Sequence, residues 1–292
     1  MADTAAPATD ARMSAAPDPY AALALVYDDW QARYGSFSEA VLPRILPLLD
    51  AERPIVQSFA EAGCGTGTLL LELAAQRPGW RLAGADASRA MLACARAKPS
   101  AGRVAWYELA LGAPIPGAPY DAAGCFFNTL NHLRDGAQLC RALAGLGAAL
   151  RAGGLLMFDV NEAAGYARWW NGRHVYRGPG WSMSSVARFD AARGQAEATI
   201  AVQRGSRAAK VVVRERLFSH AQIADALRAA GFGEISSQPW SPTPDGATGS
   251  SFWTARRRGE PPGCRQALDH SNTCSEGGPP TRVTSRPNTS TR

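Results

Sequence analysis

The 292-residue chain carries a formal net charge of +6, 46% apolar residues and six cysteines. Beyond Thr254 seven arginines face only Glu260, Asp269 and Glu276, so about +4 of that charge sits in the last segment. The remainder is near neutral, which argues against a phosphate-tracking nucleic-acid surface, and no apolar run reaches the ~20 residues that a membrane helix requires.

Residues 1–19 are rich in Ala, Pro and Asp and read as disordered. Asp3, Asp10 and Arg12 deny them the apolar core of a signal peptide. From Tyr20 to Tyr34 apolar residues fall at helical spacing. A second helix, capped by Ser36 or Ser38, runs to Leu49, with Pro43 and Pro47 limiting its regularity. An alternation then begins: strand 55–60, helix 68–76, strand 80–85, helix 88–98, strands 103–107 and 120–127, helix 135–150 and strand 154–160. This predicts an α/β fold, Rossmann-like and doubly wound, with helices on both faces of a mostly parallel sheet.

Residues 163–217 break the alternation. Runs at 173–176, 182–189, 197–203 and 211–218 read as antiparallel strands, an insertion after the fifth strand that covers the sheet's carboxyl edge. Ser219 to Gln222 forms a capping box for a helix that Gly231 ends. Strands at 232–239 and 251–255 complete seven, one of them antiparallel. The folded domain is thus expected over 20–256, and the Arg-, Pro- and Ser-rich stretch 257–292 reads as disordered. Cys264, His270 and Cys274 in that stretch fall short of a closed metal site. None of the cysteines forms C-x-x-C, and several lie in apolar runs, as reduced thiols do in a cytosolic protein.

In such sheets ligands bind outside the carboxyl ends of the strands. Glu61 to Gly67, Asp86, Asn128 to His132 and Asp159 to Glu162 all fall there. Gly63, Gly65 and Gly67 shape a turn between the first strand and helix, where backbone N–H groups point at a ligand and glycine permits close approach. The spacing is G-x-G-x-G. A dinucleotide turn wants a small residue where Thr68 stands, and Glu61 would repel a pyrophosphate but suit an ammonium group.

The stretch E-A-G-C-G-T-G, Glu61 to Gly67, resembles the first motif of the class I S-adenosylmethionine-dependent methyltransferases. Asp86-Ala-Ser-Arg-Ala-Met-Leu92 is similar to their second motif. Y-D-x-W-x-x-x-Y, Tyr27 to Tyr34, resembles the lid helix of members that methylate small molecules, and Asn128 to His132 resembles the post-strand segment of amino-sugar N-methyltransferases. The resemblance implies S-adenosyl-L-methionine as cofactor, held by Glu61, Gly63, Cys64, Gly65, Thr66, Gly67, Asp86, Ala87, Met91 and Asn128. Glu61 takes the methionyl ammonium, Asp86 the ribose and Asn128 the methionyl edge. It implies His132 and Tyr27 as catalytic residues, with His132 as the base beside the acceptor amine. Tyr34, Asn131, Trp169 and Trp170 are expected beside the substrate.

The third strand departs from the family: Leu109-Ala110-Leu111 stands where an acid usually reads adenine. Either apolar contact holds the base or Glu108 takes the role. Each site residue also has a plain structural alternative: Asp86 as helix cap, Asn128 as loop support, the aromatics as packing. The expectation is a cytoplasmic monomer or homodimer that methylates a small molecule, with nitrogen favoured over oxygen as acceptor, without nucleic-acid or membrane partners. A nicotinamide-dependent oxidoreductase and an inactive methyltransferase-like binding protein are the alternatives.

Overall fold

The computed structural model describes residue 18 and residues 20–34, 37–241 and 248–259. The expected disordered stretch 260–292, with Cys264, His270 and Cys274, lies outside the described residues, as do 1–17 and the side chain of Tyr34. In chain order the elements are α1 (Tyr27–Gln31), α2 (Phe37–Asp50), β1 (Ser58–Ala62), α3 (Thr68–Gln76), β2 (Arg81–Asp86), α4 (Arg89–Ala97), β3 (Val104–Glu108) and β4 (Tyr120–Cys125). Then follow α5 (Gly136–Ala149), β5 (Leu150–Asn161), α6 (Ala163–Trp169), β6 (Gly172–Gly178), β7 (Trp181–Asp190), β8 (Gln195–Arg204), β9 (Arg207–Arg216), α7 (His220–Ala229), β10 (Phe232–Trp240) and β11 (Ser250–Arg257).

Seven strands form one sheet in the order β10-β11-β5-β4-β1-β2-β3. All run parallel except β11, which is antiparallel to both β10 and β5. The order reverses between β1 and β4, so their carboxyl ends open a crevice there. Two apolar layers cover the sheet. One is built from α5 and α7, with Leu143, Leu146, Ile223 and Leu227 buried on Phe158 and Trp253. The other is built from α2 and α3, with Ile45, Leu49, Leu70 and Leu73 buried on Phe59 and Met157. Arg257 still belongs to β11, one residue past the expected domain edge.

The insertion opens on α6 and then folds as a four-stranded antiparallel meander, β6-β7-β8-β9. Its strands alternate, and Trp181, Met183, Val202 and Val213 turn inward. Leu23, Val26 and Met91 are buried against them. The N-terminal segment is thus held between the core and the insertion, and its continuous helical pattern breaks. A 3-10 turn at Leu23–Leu25 precedes α1 and another at Ala32–Tyr34 follows it.

One local expectation fails for an identifiable reason and half of another is settled, since Ser36 lies outside the described residues. Pro43 and Pro47 lie inside an unbroken α2. An interior proline costs about 3 kcal/mol, but the stripe Val41, Leu42, Ile45 and Leu49 is fully buried, at ~1.5–3 kcal/mol per side chain. Ser38 lies within that helix and donates to Glu72 Oε1 at 2.8 Å rather than capping it.

The glycine turn leaves β1 with Gly63, Gly65 and Gly67 all at positive φ, between 54° and 72°. A Cβ on Gly67 would overlap the Trp106 ring, whereas one on Gly65 would meet nothing nearer than the Tyr27 ring at 3.9 Å. Gly67→Ala is therefore expected to cost clearly more stability than Gly65→Ala, whose penalty is the left-handed backbone alone, about 1 kcal/mol. Urea unfolding of the two variants checks this.

Candidate active site

β1 carries Glu61 inside the strand rather than after it, paired in register with Gly84 of β2 and Gly124 of β4. The side chain is 4% exposed. Burial, with Asp86 close by, pushes its carboxyl up to about 8. Its Oε2 is buried without a hydrogen-bond partner, and so is Asn128 Oδ1. Asn128 Oδ1 is an acceptor, and Glu61 Oε2 becomes one when its carboxyl ionises, so a cationic donor would complete the site by drawing off that proton.

The turn itself is internally satisfied. Gly63 and Cys64 donate their N–H groups to Ala85 O at 2.7 and 3.1 Å, and Gly67 donates to Cys64 O at 2.9 Å. Gly65 N–H donates to Asp86 Oδ2 at 2.8 Å. This corrects the expectation of N–H groups turned toward a ligand. The glycines contribute bare backbone, and Gly65 is the open one. Asp86 Oδ1 accepts from Ser88 N–H at 2.7 Å. Helix α4 is capped by Ser88, whose Oγ accepts from Met91 N–H, so Asp86 is not its cap. Burial raises the Asp86 carboxyl above the ordinary range.

The remaining motif residues divide. Cys64 is buried and burial pushes its thiol up. Ala87 is exposed. Met91 is buried against Leu23 and Val26. Thr66 Oγ1 donates to Asp28 Oδ1 at 2.5 Å, and Lys98 Nζ reaches Asp28 Oδ2 at 2.8 Å. Asp28 therefore pins α1 onto the turn. Asp18 adds a second tie by accepting from Ser88 Oγ at 2.7 Å. These contacts place the Tyr27 ring over Gly65, edge-on to Trp30 and Phe127 at 5.8 and 6.3 Å. Burial holds the Tyr27 phenol protonated.

Past β4, Phe127 and Asn128 take positive φ of 57° and 56°. Asp159 of β5 stabilises that bend by accepting from Phe127 N–H at 2.7 Å and Asn128 N–H at 3.2 Å. Burial lifts the Asp159 carboxyl to about 7. The bend delivers a 3-10 turn, Thr129–His132. His132 Nδ1 faces the carbonyl of Arg214 at 3.2 Å, which can only accept, so Nδ1 carries the proton. Its Nε2 then accepts from Tyr20 OH at 2.7 Å. Glu215 Oε1 of β9 stands 3.6 Å from Nε2.

Asn131 is not a substrate residue. It is fully buried, donating from Nδ2 to Arg216 O at 2.8 Å and accepting from Asn161 N–H at 2.9 Å. It ties the turn to β5 and β9. Trp169 packs on Gly165 and Gly249, away from the buried cluster in which Trp170 joins Tyr20, Tyr27 and Trp30. Glu108 pairs with exposed Arg89 at 3.0 Å. Beside Gly63, an apolar crevice is lined by Ala62, Ala85, Leu109, Leu111 and Leu146.

Tyr20 and Glu215 were not among the expected site residues. Glu215 had a signal: it is the acid on the inward side of a strand whose other inward positions are Val211 and Val213. Tyr20 had none beyond its place in an aromatic-rich segment.

Residues 60–156 match the family model described as a methyltransferase domain. A protein of Geobacillus sp. (strain WCH70) named as a methyltransferase is 29% identical over 138 residues, 47% of this chain and 51% of that one. The chain therefore spans about half the length of that curated relative. Among solved structures, the sugar N-methyltransferase KedS8 from Streptoalloteichus superposes with a TM-score of 0.63 at 23% identity, covering 88% of this chain and 100% of its own. The S-adenosylmethionine-bound amino pentose methyltransferase CalS10 from Micromonospora echinaspora gives 0.60 at 24%, covering 80% and 96%. Residues 60–156 thus carry the match to a methyltransferase domain, on a sheet whose order the solved methyltransferase structures share in fold. S-adenosylmethionine fits the site, because the unpartnered acceptors Glu61 Oε2 and Asn128 Oδ1 suit its ammonium group.

Glu61 holds its proton in the folded protein up to about pH 8 but would lose it near 4.5 when unfolded. Between these values the unfolded state binds fewer protons, so stability falls as pH rises, on the order of 1 kcal/mol per pH unit. Asp159 acts with the same sign between 3.8 and about 7. Chemical denaturation of the ligand-free protein from pH 5 to 8 should show the decline, and Glu61→Gln should flatten it, most clearly between pH 7 and 8.

Proposed function

We propose that this chain transfers a methyl group from S-adenosylmethionine to an amine nitrogen of a small molecule. The observation that carries the reading is the unpartnered Oε2 of Glu61, buried at the end of β1 and close to the Asp86 carboxylate. A cationic ammonium satisfies it, whereas a pyrophosphate offers only acceptors and negative charge. When bound, the cofactor supplies a methyl group on a positively charged sulfur, open to in-line displacement.

The chain's own residues then do four things. Glu61 and Asn128 hold the ammonium end. Asp86 keeps acceptor capacity for ribose hydroxyls beyond its two backbone bonds. The apolar side chains of Ala85, Leu109 and Leu111 beside Gly63 offer adenine a surface without a carboxylate. Loss of one neutral hydrogen bond there is worth only ~1 kcal/mol. Tyr27 and Trp30, held down by Asp28, exclude water from the turn. Orientation of two reactants in such a site can supply ~7–11 kcal/mol of the barrier.

A nitrogen acceptor is supported by His132. Its Nδ1 proton is engaged by the Arg214 carbonyl, so Nε2 is the basic nitrogen, and it can take a proton through the Tyr20 hydroxyl that donates to it. The structural relatives named as sugar N- and amino pentose methyltransferases point the same way.

Titration calorimetry should show S-adenosylhomocysteine binding and no heat with NADH; the reverse would end the reading. With labelled cofactor and a panel of amines and phenols, label should pass to amines. His132→Ala should lower kcat by roughly 10²-fold or more while leaving cofactor affinity unchanged. Undiminished turnover would remove the base role.

A further inference from the structure

We infer that Glu215, His132 and Tyr20 form a subsite for the acceptor's amino group, which enters it as an ammonium cation. This rests on the methyl-transfer reading and adds the chemical state in which the acceptor is recognised.

The three side chains come from three separate parts of the chain: the N-terminal segment, the turn after β4 and the last strand of the insertion. Glu215 is 8% exposed. Its Oε2 accepts from Tyr166 OH at 2.9 Å and from Asn161 Nδ2 at 3.1 Å, which fixes the carboxylate plane. Its other oxygen, Oε1, lies 3.6 Å from His132 Nε2, beyond hydrogen-bond reach. Among the described residues no lysine or arginine forms an ion pair with it; His132 is the one basic side chain at this range. A buried carboxylate is held as an anion only when a cation or several donors face it. Burial accordingly raises the Glu215 carboxyl, and the neighbouring His132 works against that rise.

An ammonium group supplies what Glu215 lacks, namely positive charge and several N–H donors. A phenol or alcohol supplies one donor and no charge. Tyr20 meets His132 edge-on, with ring centroids 5.5 Å apart, and its hydroxyl bonds to Nε2. Burial holds that phenol protonated. It can therefore pass its proton to Nε2 only as it receives another.

The proton balance follows. The ammonium gives one N–H proton to the Tyr20 oxygen while the Tyr20 hydroxyl proton moves to His132 Nε2. The Glu215 carboxylate faces the resulting imidazolium. The nitrogen lone pair so freed forms the new N–C bond, as the methyl–sulfur bond breaks and its electron pair stays on sulfur. Glu215 thus selects the charged amine, and the Tyr20–His132 pair makes it nucleophilic.

The test uses the full chain with S-adenosylhomocysteine, ¹⁵N-labelled at histidine, with the His132 resonances assigned by their loss in His132→Gln. Cyclohexylamine and cyclohexanol, alike in shape, are titrated in turn. The amine should move the His132 Nε2 resonance with half-saturation at least tenfold lower in concentration than the alcohol. Glu215→Gln should abolish that advantage, and Tyr20→Phe should narrow it several-fold. Equal half-saturation for the two probes, or an advantage intact in Glu215→Gln, overturns the subsite. Should Glu215→Gln fail to fold, an undiminished advantage in Tyr20→Phe overturns it. If the advantage holds but no amine accepts a labelled methyl group, the subsite stands and the methyl-transfer reading falls.

Discussion

The cost of ionising carboxyl groups buried at the carboxyl edge of the sheet is the constraint on which the rest depends. Glu61, Asp86, Asp159 and Glu215 are gathered there, three of them buried and Asp86 half-buried, and burial raises the carboxyl of each. Ionised carboxylates in a low-dielectric interior are costly unless cations or donors face them. Asp86 and Asp159 meet the demand with backbone N–H groups. Glu61 keeps one oxygen without a partner, and Glu215 Oε1 has His132 Nε2 at 3.6 Å. These two oxygens lie on different strands, β1 and β9. A sulfonium cofactor with an ammonium end is the chemistry such a field favours.

Concentrated charge also explains the closed form of the domain. A Rossmann-like sheet alone leaves its carboxyl edge open to water, which would screen these acids. Here α1 and the meander cover it. The cover is attached by a small apolar group, Leu23 and Val26 on Met183, Val202 and Val213. Polar ties add to it: Asp28 to Thr66 and Lys98, Asp18 to Ser88, and Arg204 to Asp29. Partly exposed polar ties of this kind contribute about 0.5–1.5 kcal/mol each. Attachments so weak are compatible with opening for ligand exchange, because loss of one tie leaves the main core untouched.

The alternation of apolar runs, the glycine spacing and the acids at strand ends were legible because each is a local pattern with a fixed physical cause. A parallel strand buried on both faces must be apolar throughout, and a turn at positive φ asks for glycine. Errors arose where a tertiary partner decided the outcome. Asn131 looks like a polar site residue, yet both ends of its amide are consumed by β5 and β9, more than 25 residues away. The glycine N–H groups look available, yet Asp86 and Ala85 take them across the β1–β2 pair. Pro43 and Pro47 should disturb a helix, yet the buried stripe of α2 outweighs them.

By itself, the amino-acid order determined the class of fold, the position of the glycine turn and the two acids, Glu61 and Asp86, that flank it. These follow from periodicities of two and 3.6 residues and from the backbone freedom of glycine, which act over a few neighbours. Tertiary structure alone decided that Glu61 keeps an unpartnered oxygen, which nitrogen of His132 carries the proton, and that Tyr20 and Glu215 converge on His132 from positions 112 and 83 residues away along the chain. Such pairings depend on how the N-terminal segment and the insertion dock over the sheet, and docking is a sum of many weak contacts that no short stretch of sequence encodes.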